Sequence, residues 1–136
     1  MSEMGHYKFS NKVIAIPLLA MILIWGVYWV ELALGVNFNE YGIMPRTLLG
    51  LRGVVFSPFI HGSLEHLYNN TISLAILVAA LWYFYRDVAW KVVLYGILLS
   101  GFLTWMIGRT SYHIGASGLI YVLASFIFFK GIFSSY

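Results

Sequence analysis

Four long apolar runs, separated by short polar or glycine-rich segments, dominate the chain. Residues 13–30 carry no charge, and as a helix they would reach about 27 Å, close to the thickness of a bilayer's hydrocarbon core. Comparable runs recur near 67–85, 92–108 and 114–129. Extended to their polar flanks, they predict membrane spans over about 13–34, 64–85, 89–108 and 114–133. The first run is too long for the apolar part of a cleaved signal peptide and lacks a small-residue cleavage site, so it is read as a retained span. Pro17 is expected in that helix's first turn or so, where its missing N–H costs least. Glu31 falls at the far end, where a carboxylate can meet the interface.

Residues 35–62 break the pattern. Gly, Asn and Pro argue against a simple span, yet Leu48, Leu49, Leu51, Val54, Val55 and Phe56 are too apolar for a solvated linker. Either an interfacial, partly embedded loop or an ordinary loop packed over the helices accounts for this mixture. In the third run Gly96, Ser100, Thr104 and Gly108 recur every fourth residue and line one helix face. Small side chains there let helix backbones approach closely, so the ladder is read as structural.

Composition narrows the class. Charged residues make up only 10% of the chain, against about 25% in soluble domains, which places it among membrane proteins. The expected fold class is therefore all-α, a polytopic transmembrane bundle with four spans. The formal charge of +3 comes from basic residues scattered along the chain; they form no basic patch, and no nucleic-acid partner is expected. The absence of cysteine excludes disulfides, thiolate metal sites and cysteine catalysis. With the N-terminal segment 1–12 in the cytoplasm, Lys8, Lys12, Arg86, Lys91 and Lys130 face inward, and Arg46, Arg52 and Arg109 face outward. That orientation brings the starts of the second and fourth spans to the same, outer side.

Two polar groups meet there. Gly115-Ala116-Ser117-Gly118 opens the fourth span, and a serine between glycines at a helix start can expose a nucleophilic hydroxyl beside free backbone N–H groups. Small residues of this kind also serve merely to pack helices. His66 and Asn70, four apart, share one face near the start of the second span. At that depth they serve either as interhelical hydrogen bonds or as donors to charge that develops in acyl transfer. Tyr121, one turn after Ser117, is expected to cover the same cavity or to act as an interfacial packing residue.

His66-x-x-x-Asn70 opening one span, and Gly115-Ala116-Ser117-Gly118-x-x-Tyr121 opening the next but one, resemble the rhomboid intramembrane serine proteases. His61-Gly62-Ser63-Leu64-Glu65-His66 is similar to the family's histidine-rich entry to its second helix. The resemblance runs from about Tyr41 to Phe129. It implies that Ser117 is the nucleophile acting on a protein substrate's transmembrane segment. The Ser117 N–H, His66 and Asn70 would form the oxyanion hole. Gly115 and Gly118 would be supporting residues, Gly115 keeping the approach open, and Tyr121 would pack beside the general base. The 35–62 loop would match the family's first loop. The resemblance implies no metal or cofactor; the implied partners are the lipid bilayer and that substrate.

Two departures from the family are visible. Its first loop usually carries Trp-Arg, where this chain has Leu51-Arg52-Gly53. The family's base histidine lies on a sixth span, whereas four are read here. The 13–136 membrane domain is thus expected to be incomplete at the C-terminus, without the base, and inactive or nearly so alone. His6 falls on the inner side, His61 is assigned to supporting the loop, and His113 precedes Ser117 across a glycine-containing loop that need not align them. The alternative function is a non-catalytic rhomboid-like protein that binds transmembrane clients. A bacterial-type inner membrane is the expected location.

Overall fold

A computed structural model describes residues 9–134, and among these the architecture is all helical. Helix α1 spans Asn11–Leu34, α2 Gly53–Phe56, α3 Leu64–Tyr85, α4 Ala89–Ile107 and α5 Ser117–Ser134. Short 3₁₀ turns at Asn39–Tyr41, Leu49–Arg52 and Ser57–Phe59 shape the α1–α3 connection. Four of the helices, α1, α3, α4 and α5, are long and apolar enough to cross a membrane. Side chains such as Ile14, Ile22, Ile76, Leu99 and Phe128 stand at least half exposed along them. So much uncharged outer surface belongs in lipid, and the chain is a multi-pass integral membrane protein. His6 and Lys8 lie outside the described residues.

Helix α3 is the central element, packed by α1 on one side and α5 on another. Its buried residues Leu67, Asn70, Leu74, Val78 and Leu81 repeat at three- and four-residue intervals, one stripe of a helix surface. Asn70 therefore sits on the inward face by the same periodicity that buries the leucines. Leu119 and Leu123 of α5 and Ile24 of α1 join this core. The indole of Trp25 donates to Thr71 Oγ1 at 2.8 Å and ties α1 to α3. Gly35, at φ 67°, takes the left-handed conformation that closes α1.

Helix α4 packs against α5 and α2. A Cβ on Gly96 would stand 3.0 Å from Val122, and one on Gly118 would stand 3.1 Å from Ser100 Oγ, so part of the small-residue face meets α5. Gly101, outside that four-residue ladder, receives Val54 of α2. The 35–62 connection is bound to the far end of α4. The Arg46 guanidinium donates to the carbonyls of Gly108 at 2.9 Å and Met106 at 3.3 Å, and Trp105 donates to the Thr47 carbonyl at 2.7 Å. A cation there also opposes the negative end of the helix dipole. Arg52 lies over the Tyr41 ring at 4.2 Å, which supplies an aromatic anchor in a loop lacking the expected tryptophan. One side of the connection is thus packed, with Val54 buried, while Leu48 is 86% exposed.

Two local expectations need correction. Pro17 lies in the second turn of α1, because Asn11 and Lys12 join the helix ahead of the apolar run. The last helix begins at Ser117 and not at Ile114. Residues 113–115 are held outside the helix by backbone bonds between His113 and Ile43 and from the Gly115 N–H to the Ser57 carbonyl.

The loop's seat is tight at Gly53, where a Cβ would overlap the Gly42–Ile43 peptide. Gly53→Ala is expected to destabilise the protein by about 1–3 kcal/mol, whereas Gly26→Ala, with nothing within 4 Å, should change little. Thermal unfolding of both variants in detergent tests this; equal midpoints would contradict the packing described.

Candidate functional site

Ser63 begins the site. Its hydroxyl accepts the His66 N–H at 3.1 Å and caps α3, so the helix's first turn presents His66 and, one turn on, Asn70. Opposite them runs the non-helical segment before α5. Gly115 adopts φ +103°, a conformation open to glycine and strained for other residues. A methyl group there would lie 2.6 Å from His66 Cε1, 2.8 Å from its Nε2 and 3.5 Å from Asn70 Nδ2. The backbone two residues before Ser117 is thus pressed against both polar side chains of α3.

His61 completes this cluster. Its ring is 1% exposed, and its Nε2 lies 2.9 Å from Asn70 Nδ2 and 3.3 Å from the Ala116 N. The assignment of His61 to the loop alone is therefore incomplete. No helical period relates residue 61 to residue 116, and only the tertiary fold brings them together. Burial, and then the neighbouring charge of His66, lower the His61 pKa from 6.5 to about 4, partly offset by the Phe59 backbone. The two imidazoles stand 4.9 Å apart, edge to face. His61 Nδ1 is buried without a hydrogen bond of good geometry.

Ser117 lines a cavity of about 130 Å³ whose other polar walls are Ser57, Ser100, Thr104 and His113. Sequence reasoning missed Ser57, and read Ser100 and Thr104 only as packing residues. His113 Nε2 is 2.9 Å from the Arg109 carbonyl. Tyr121 does not line this cavity. Its ring is 74% exposed, because it falls on the outward side of α5, where it lines an open groove with Ser125, Phe126 and Phe129. Gly118 packs on Ser100. Among the described residues no group of three or more His, Asp or Glu side chains is placed to hold a metal ion.

Such an arrangement has the parts for acyl transfer: a hydroxyl at a helix start, with side-chain donors beside the preceding backbone. The family model described as Rhomboid domain matches residues 49–135. An uncharacterized protein of Mycobacterium bovis is 34% identical, over 82% of this chain and 49% of its own length. Uncharacterized proteins from two strains of Mycobacterium tuberculosis match to the same extent. The chain spans about half the length of the curated relatives it matches. No solved structure matches it.

Because the His61 pKa is depressed on folding, the unfolded chain binds more protons between about pH 6.5 and 4. His61's contribution to stability is thus fully present above pH 6.5 and declines as pH falls through that window. Unfolding midpoints measured from pH 7 to pH 4 are expected to fall less steeply in His61→Gln than in the wild type. Parallel curves would show that this imidazole is not the group responsible.

Proposed function

The chain belongs to the rhomboid family of intramembrane proteins, and on that premise we propose that it acts as a serine endopeptidase on transmembrane substrates. Ser117 Oγ attacks the peptide carbonyl, whose oxygen becomes negative as the tetrahedral intermediate forms. His66, Asn70 and the Ser117 backbone N–H stabilise that oxygen. Donors fixed before the reaction are effective in a water-poor site because they need not reorganise as charge develops. The observation that carries this reading is the closeness of Gly115 to His66 Nε2 and Asn70 Nδ2. A side chain at 115 would occupy the space next to those donors.

A serine hydroxyl needs a neighbouring base. We assign that base to a helix outside residues 1–136, seated on the open face of α5 where Tyr121 is exposed. Tyr121 then packs beside the base, as the family resemblance implies. The distribution of basic residues favours a cytoplasmic N-terminus, with the site toward the outer leaflet and the 35–62 loop at the interface. The proposed membrane is a bacterial-type inner membrane.

In proteoliposomes containing the native gene product and a fluorogenic transmembrane substrate, Ser117→Ala should abolish cleavage. Asn70→Ala should lower kcat by about 10²–10³-fold. The 136-residue chain alone should cleave nothing measurable. Cleavage indifferent to Ser117→Ala would refute the assignment. Client binding by the native gene product without any cleavage would favour a non-catalytic, client-binding role.

A further inference from the structure

His61 is the most deeply buried ionisable side chain at the site, and the oxyanion donors named above leave it without a part. The Ala116 N–H, 3.3 Å from His61 Nε2, can only donate. Nε2 must therefore carry the lone pair, and the ring proton must sit on Nδ1. A second consequence follows for Asn70. The atom of its amide facing the same Nε2 at 2.9 Å must be the NH₂ group and not the carbonyl oxygen. One N–H of Asn70 Nδ2 is then engaged by His61, and the other remains for the side on which Gly115 lies. The single lone pair of Nε2 is shared between a side chain of α3 and the backbone that leads into Ser117.

We propose that His61 is a positioning residue: an obligate hydrogen-bond acceptor that sets the orientation of the Asn70 amide and holds the Ala116–Ser117 backbone beside it. This inference rests on the assignment of Asn70 to the oxyanion hole, and it supplies the reason that the amide presents a donor. Without the acceptor, Asn70 can rotate about its last torsion and offer its carbonyl, which would repel a developing oxyanion. The Ala116 N–H would at the same time lose its buried partner, at a cost typical of an unsatisfied donor. The low pKa of His61 is consistent with this role, since a protonated Nε2 would face two donors.

Glutamine can place its carbonyl oxygen near the position of Nε2, and leucine has no acceptor. His61→Gln should therefore preserve the arrangement and His61→Leu should lose it. Two readouts decide the matter. In ¹⁵N NMR of the detergent-solubilised 136-residue chain, His61 should be the Nδ1–H tautomer. Its Nε2 should couple to the Ala116 amide, and the Asn70 side-chain amide and Ala116 N–H signals should move in His61→Leu but recover in His61→Gln. In the native gene product, the rate at which a fluorophosphonate modifies Ser117 should fall on the order of 10²-fold in His61→Leu. It should be largely restored in His61→Gln, and His61→Leu/Asn70→Ala should be little worse than Asn70→Ala alone.

An Nε2–H tautomer, or unmoved Asn70 and Ala116 signals in His61→Leu, overturns the proposal. So does full labelling in His61→Leu where Asn70→Ala is slow. If Asn70→Ala labels at the wild-type rate while the NMR couplings are present, the oxyanion assignment fails and the positioning of Asn70 by His61 stands. Should His61→Leu not fold, the wild-type tautomer and the His61→Gln labelling rate still decide.

Discussion

Close approach between the backbone at Gly115 and the first turn of α3 is the constraint on which the rest of the site depends. Helices rarely meet so tightly at polar residues, because side chains keep their axes 8–10 Å apart. Here the approaching partner is a glycine in a bend at positive φ, held from behind by the Ser57 carbonyl. That contact brings His66 and Asn70 next to Gly115, two residues before Ser117. It also delays the start of α5 until Ser117, leaving the serine in the helix's first turn, where N–H groups have no intrahelical acceptor.

The connection between α1 and α3 serves this contact. Ser57 and His61 both belong to it, and both touch the 115–116 backbone. Its own position is secured at a distance, by Arg46 on the carbonyls ending α4 and by Val54 against Gly101. The loop is thus a bracket between the end of α4 and the start of α5. Packing at Gly53 and hydrogen bonding at Gly115 thus belong to the same connection.

Among the described residues, the polar groups around the start of α5 form two adjacent compartments. One is the His61, His66 and Asn70 cluster, in which the His61 ring lies against both the Asn70 amide and the His66 ring. The other is the small cavity that Ser117 shares with Ser57, Ser100, Thr104 and His113. The outer faces of the long helices are largely apolar, and α5 in particular leaves Tyr121, Phe129 and Phe133 uncovered. Buried polar groups are costly in such surroundings unless they satisfy one another, which is why so few residues account for the chemistry proposed for the protein.

Membrane-crossing helices are legible in the sequence because the requirement is local: some twenty consecutive residues must be apolar, whatever they pack against. The same holds for the periodicity that turns Asn70 inward with Leu67 and Leu74, and for the spacing of His66 to Asn70 and of Gly115 to Ser117. Other features needed the tertiary structure. His61 and Ala116 are 55 residues apart, and no local pattern states that the imidazole of one accepts from the backbone of the other. Tyr121 shares a helical turn with Ser117, yet its ring points away, since the helix's rotation is set by Leu119 and Leu123 entering the core. Sequence alone determined which segments enter the membrane and which residues carry reactive groups. Long-range packing decided which of those groups meet, because hydrogen-bond geometry depends on the path of the whole chain and not on its neighbours in sequence.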